Sequence, residues 1–133
     1  MRKHLATLAL IASATGLVAA PLDARPRPTG EERLAKMLEG RVAGEPRSCI
    51  FTTGSRGLTM IEGTALVYKA GRTLWVNRTV NPEDLDESDI MVIKRYGSAN
   101  LCRQEQITLV DRNSGMFSGA VFLTDFVPYE KAS

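Results

Sequence analysis

Residues 82 to 89, "PEDLDESD", carry five acidic side chains in eight positions. Carboxylates are the oxygen ligands that calcium prefers. Aligned with an EF-hand loop, Asp84 and Asp86 occupy ligand positions one and three. The alignment then fails, because Asp89 stands where the loop needs glycine and Arg95 stands where it needs a bidentate glutamate. We therefore interpret the segment as a solvated loop between strands, and we keep Asp84, Asp86 and Asp89 as weak candidates for a calcium site of another kind.

A pair of carboxylates can also hydrolyse a glycan, one acting as acid and the other as base or nucleophile. Most acidic residues of this chain lie in charged stretches, where nothing would raise the pKa of a carboxyl group. Glu62 differs, because it follows the apolar stretch "LTMI" and precedes Gly63. We interpret Glu62 as a turn or edge residue rather than a general acid. The chain contains no Gly-x-Ser-x-Gly, Ser-x-x-Lys, Walker or dinucleotide-binding glycine motif.

Four aromatic residues could stack on sugar rings or could instead fill a core and form cross-strand pairs. They are Tyr68, Trp75, Tyr96 and Phe126. Tyr68 and Trp75 lie at matching distances from the turn sequence "AGR", so we expect them to pair on one face. That face is the candidate binding face.

The N-terminus predicts export. Arg2 and Lys3 form a basic head, residues 5 to 20 are mostly apolar, and small residues follow. This is the layout of a secretory signal peptide, and the apolar run is shorter than the ~20 residues of a membrane-spanning helix. We assign residues 1–24 to the signal peptide, expect a periplasmic or extracellular protein, and expect no membrane span after cleavage. Cleavage after Ala19, Ala20 or Ala24 fits the sequence.

Cleavage changes the chemistry that remains. It removes His4, the single histidine, and so excludes imidazole as base, acid or metal ligand. Cutting after Ala24 also removes Arg2, Lys3 and Asp23 from 17 basic and 15 acidic residues, so the formal charge falls from +2 to +1. Such a balance predicts no nucleic-acid partner. We also expect no cofactor.

Both cysteines, Cys49 and Cys102, remain after cleavage. In an exported domain they most simply form one intramolecular disulfide. A reactive thiol and an intermolecular bond are the alternatives. The chain has no Cys-x-x-Cys motif and no histidine partner to favour a reactive thiol.

Residues 25 to 42 predict a linker followed by one helix. Residues 25–28 form a proline-rich linker. Thr29 and Glu32 then have the spacing of a capping box and predict a helix that Gly40 ends. The apolar stripe of this helix comprises Leu34, Met37 and Leu38, with Val42 as a further candidate.

From residue 48 onward the apolar period changes to two, which predicts strands. "GTALVYKAGRTLWVNRTV" is typical of a β-hairpin, in which Asn77 of the sequon "NRT" is a strand residue. "CIFTT", "DIMVIKRY", "QITLVDR" and "MFSGAVFLTDFVPY" supply further strands. The fold class is therefore mainly β, a small antiparallel sheet or barrel-like domain over residues 29–133 with one short N-terminal helix and one disulfide.

Segments including "RVAGEPRSCI", "DESDIMVIKRYGSANLC" and "ITLVDRNSGMFSGAVFLTDFVPY" resemble those of small exported, periplasmic proteins of unknown function from Gram-negative bacteria. The resemblance covers about residues 34 to 129 and implies a periplasmic location and these domain limits. It implies no activity. Together the observations favour a non-enzymatic binding or structural protein of the periplasm or cell envelope, whose partner is an envelope protein or polysaccharide. A small glycan hydrolase with paired carboxylates and a calcium-stabilised structural module are the alternatives.

Overall fold

The computed structural model describes residues 24–52 and 57–133. The predicted signal peptide therefore lies outside the described residues, apart from Ala24. One helix, α1 (Gly30–Met37), precedes ten strands, and no helix in the described ranges is long and apolar enough to cross a membrane. The strands, β1 to β10 in chain order, are Arg41–Ala43, Cys49–Phe51, Leu58–Ile61, Ala65–Ala70, Thr73–Asn77, Asp89–Ile93, Asn100–Cys102, Gln106–Asp111, Phe117–Phe122 and Val127–Lys131.

The α1 helix begins at the predicted capping box. The Glu32 backbone N donates to Thr29 Oγ1 at 3.2 Å, and the Thr29 backbone N donates to the Glu32 carboxylate at 2.7 Å. The helix is the first described element, but it follows 29 residues of chain rather than standing at the N-terminus. Val42 does not belong to its apolar stripe, because Val42 lies in β1 and is exposed.

The largest sheet has five antiparallel strands in the order β1-β10-β5-β4-β3. Its β4–β5 hairpin is the predicted one. Gly71 and Arg72 form the two-residue turn, and Gly71 has a φ of +58°, which glycine tolerates at the first central position of such a turn. Tyr68 lies directly opposite Trp75, so the predicted cross-strand pair is confirmed.

Two smaller antiparallel sheets complete the fold, one with the order β6-β8-β9 and one pairing β2 with β7. The predicted mainly β class is confirmed, and among the described strands no barrel is closed. β1 and β7 were not predicted from the sequence. Each has only three residues, and neither "RVA" nor "NLC" has the run of β-branched and aromatic residues that marks β2 within "CIFTT".

The core lies on both sides of β4. Leu66 and Tyr68 pack with the strands of the smaller sheets, while Ala65 and Val67 pack with Leu34 of α1. The five-stranded sheet is therefore the middle layer between the helix and the smaller sheets. This explains why β4 is apolar at successive positions rather than alternating with polar residues.

The predicted disulfide between Cys49 and Cys102 is present. The two residues lie directly opposite each other in the β2–β7 pair, with a Cα–Cα distance of 4.0 Å. The Arg103 backbone N donates to the Ser48 carbonyl just outside the pair, so the cysteines occupy a non-hydrogen-bonded position, where side chains are closest.

A buried asparagine connects two layers. Asn77, fully buried at the end of β5, donates through Nδ2 to the Thr124 carbonyl at 2.7 Å. Its Oδ1 accepts from the backbone N of Thr79 and of Thr124, both at 3.0 Å, and from Thr124 Oγ1 at 3.2 Å. Asn77 therefore joins the end of the five-stranded sheet to the chain that leaves β9, and it is a strand residue as predicted.

Candidate functional site

The three-stranded sheet turns one face away from the five-stranded sheet. Ile107, Leu109 and Val121 point inward and are buried, so the alternate residues point outward. We call this outward surface the outer face. The strand registers arrange the outward residues in three rows across β6, β8 and β9. Lys94, the residue that directly follows β6, continues the β6 side of the third row. The rows are Ile90, Val110 and Phe117; Val92, Thr108 and Ala120; and Lys94, Gln106 and Phe122.

The outer face is apolar and open to solvent. Phe117 is 70% exposed and Phe122 is 52% exposed, and Ile90 and Val92 are also exposed. The first two rows contain no charged residue. A contiguous exposed apolar patch is a candidate interaction surface. Depletion of charge is also what distinguishes the centre of a protein interface from the remaining surface.

The third row adds a concave region to the outer face. A hollow of about 430 Å³ is lined by Lys94, Tyr96, Gln106, Thr108 and Glu105, at the β6–β8 side. Tyr96 is 90% exposed at its rim. Phe122 stands on β9, at the other side of the same row. The outer face thus carries a projecting ring at one side and a hollow at the other.

A second concave region, of about 620 Å³, lies between the start of α1 and the β3–β4 turn. Its lining includes Arg27, Arg33, Glu62 and Glu87. Arg33 forms a salt bridge with Glu87 at 2.5 Å, and the Glu62 backbone N donates to the Glu87 carboxylate at 3.3 Å. Glu62 is an exposed turn residue, as predicted. Glu87 is thus engaged by an arginine and a backbone donor.

The calcium candidates lie in and after a short 3-10 turn, Pro82–Asp84. Asp84 is exposed. Asp86 accepts a hydrogen bond from the Ser88 backbone N at 2.8 Å, and Asp89 is buried in β6. In the described part of the chain no three acidic, histidine or cysteine side chains are grouped so that they could hold a metal ion.

Two carboxylates do face each other across strands. Asp89 of β6 lies directly opposite Asp111 of β8. Asp89 accepts from Ser118 Oγ at 2.7 Å, while Asp111 Oδ1 accepts from the Ser114 backbone N and Oγ at 2.7 and 2.8 Å and from the Asn113 backbone N at 3.1 Å. Asp111 thereby shapes the β8–β9 turn that leads into Phe117.

The Ser114 hydrogen bonds hold the pKa of Asp111 below its ordinary value of 3.8, because they stabilise the carboxylate. A folded-state pKa below the unfolded one means that Asp111 stabilises the fold above the unfolded pKa and that this contribution is lost as the pH falls through the folded value. We expect Ser114→Ala to raise the Asp111 pKa toward 3.8, measured by a carboxyl carbon NMR titration.

Ser88→Ala is the matched control for that titration. It removes a hydrogen bond that lowers the pKa of Asp86 and leaves the Asp111 hydrogen bonds intact. We expect the Asp86 pKa to rise in this variant while that of Asp111 stays low. An Asp111 pKa that does not change in Ser114→Ala would contradict the assignment.

The candidate binding face of Tyr68 and Trp75 points into the molecule. Tyr68 is buried in the core, Trp75 is half-buried, and the Arg47 guanidinium lies 5.9 Å from the centre of the Trp75 ring. Phe126 is also buried. Of the four aromatic residues considered from the sequence, Tyr96 alone is strongly exposed, and it lines the hollow of the outer face.

No protein-family model, curated protein or solved structure matches the chain. The functional assignment therefore depends on the molecule's own surface. The outer face was not predicted from the sequence. The available signal was that "DIMVI" is apolar at four successive positions and that two phenylalanines bracket "SGAV", so that both faces of these strands carry apolar side chains.

Proposed function

We propose that the protein is an exported, non-enzymatic binding protein of the periplasm or cell envelope and that it binds through the outer face. One observation carries the proposal: a sheet face with two exposed phenylalanines and no charge in its first two rows. The disulfide supports an oxidising compartment, because such bonds persist outside the cytosol.

The experiment is site-specific photo-cross-linking in cells, with p-benzoylphenylalanine in place of Phe117. We expect a discrete cross-linked product from the periplasmic fraction, because Phe117 lies in the first, uncharged row. The same probe in place of Val42, which is 61% exposed on β1 and outside the outer face, is the matched control. We expect no discrete product from that position.

Equal cross-linking from both positions, or no product from Phe117, would contradict the proposed function. The mass of the purified periplasmic chain tests export in the same preparation. Loss of the first 19, 20 or 24 residues is the expected result, and an intact N-terminus would contradict export.

A further inference from the structure

We infer that the partner of the outer face is a second copy of this chain, bound face to face about a two-fold axis that runs along β8. The inference rests on the proposed function, since it identifies the partner of the same surface. It follows from the three rows, which place a projecting phenylalanine and a hollow on opposite sides of one face.

The two-fold axis pairs the two outer strands of the face, β6 of one copy with β9 of the other. A rotation about β8 places β9 of one copy over β6 of the other and keeps each row at its own level. Phe122 then lies over Lys94 and the hollow of the second copy, and Phe117 lies over Ile90 of the second copy. Each contact occurs twice, as an isologous interface requires. Two sheets that pack in this way are about 10 Å apart, with strands nearly aligned.

Two residues that line the hollow can contact an inserted phenylalanine. Tyr96 provides a second aromatic ring at the rim, and aromatic pairs contribute beyond the apolar area that they bury. Lys94 provides an ammonium group that can lie over the face of the Phe122 ring of the other copy. Thr108 and Ala120 are the small residues of the middle row and leave room for the bulkier residues on either side.

The charges of the face also favour an identical partner. The first two rows are uncharged, so two copies meet there without opposing like charges. Lys94 is the one cation within the rows. The axis places it over the Phe122 ring of the second copy rather than over the Lys94 of that copy. A strongly charged partner would have to leave its charges unpaired against the first two rows.

The area of the face indicates a weak dimer. With strands about 4.8 Å apart and about 3.4 Å per residue, the face covers roughly 14 by 17 Å. This is well below the ~800 Å² that each partner buries in an interface of standard size. We therefore expect a weak, reversible dimer that forms only at high protein concentration, as interfaces below the standard size do.

Sedimentation equilibrium of the purified, oxidised protein tests the inference over loading concentrations from about 5 µM to about 1 mM. We expect the average mass to rise from one chain to two. Phe122→Ser removes the projecting ring and Tyr96→Ser removes the rim of the hollow. Both residues are exposed, so each variant should keep the wild-type unfolding midpoint, while Phe122→Ser raises the dissociation constant about tenfold or more.

Val42→Ser replaces an exposed apolar residue outside the face and should leave the dimer unchanged. A protein that stays monomeric at 1 mM would overturn the inference, as would a dimer that Phe122→Ser and Tyr96→Ser do not weaken. If the purified protein is monomeric but Phe117 cross-links in cells to a protein of another mass, the second copy is rejected and the proposed function stands. If Phe117 gives no product in cells, the proposed function itself fails.

Discussion

Removal of the Cys49–Cys102 disulfide is expected to lower the free energy of unfolding by about 4 kcal/mol. The bond spans a sequence separation of 53 residues, and the entropy of the unfolded chain increases when a loop of that length is released. A domain of this size has a total stability of only about 5 to 15 kcal/mol, so the loss is a large fraction of it.

The native structure makes the stability depend further on the disulfide. The β2 and β7 strands have three residues each and pair only with each other within the described sheets, and an isolated two-stranded ribbon is marginal in water. Ile50 and Leu101 of this ribbon belong to the core, so fraying of the ribbon would expose buried apolar surface.

The measurement is urea and thermal unfolding of the double variant Cys49→Ala/Cys102→Ala against the oxidised protein. We expect the melting temperature to fall by roughly 15 to 25 °C. The wild-type protein with its disulfide reduced is the control and should unfold like the double variant, because both lack the same cross-link. A double variant within about 1 kcal/mol of the oxidised protein would contradict this role of the disulfide.

Asn77→Ala is expected to destabilise the fold by about 3 kcal/mol. The Asn77 amide satisfies the backbone N of Thr79, and both the backbone N and the carbonyl of Thr124. Alanine would leave these groups without a partner in a region from which Asn77 itself is fully shielded, and each unsatisfied buried group costs about 1 to 3 kcal/mol.

Thr124→Val is the matched control for this prediction. It removes the Thr124 Oγ1 hydrogen bond to Asn77 Oδ1 and a longer one, at 3.4 Å, to the Asp125 carbonyl, keeps the side-chain shape and leaves the backbone hydrogen bonds in place. We expect it to cost about 1 kcal/mol in the same urea unfolding experiment. If Asn77→Ala costs no more than Thr124→Val, the backbone groups find other partners and Asn77 does not join the two layers.

Much of the local structure could be predicted because its signals lie within a few residues of one another. The capping box at Thr29 needs only Glu32, and the β4–β5 hairpin needs only a glycine turn between two apolar runs. The Tyr68–Trp75 pair follows from that turn, since the register of a hairpin is set by its loop. β1 was missed because its three residues gain strand structure from β10, far away in the sequence.

The candidate site could not be predicted in the same way. Apolar residues on both faces of β6 and β9 show that each face is suited to burial, but they do not show which face the fold covers. That choice depends on the five-stranded sheet, which packs on Ile107, Leu109 and Val121 and leaves the other face open. Asn77 was recognised as a strand residue, but its hydrogen bonds to Thr124 could not be predicted, because Thr124 is 47 residues away in the sequence.

The mainly β class, the helix start and the central hairpin follow from the order of residue types, because hydrophobic period, capping and turn chemistry act locally. The cysteine pair was predicted from the cysteine count of a small domain expected to be exported. Three features depend on the tertiary structure: the direct opposition of the cysteines, the burial of Tyr68, and the position of Phe122 across one row from the hollow at Lys94 and Tyr96. These features depend on which strands pair and which layers pack, and such contacts join residues that are distant in the chain.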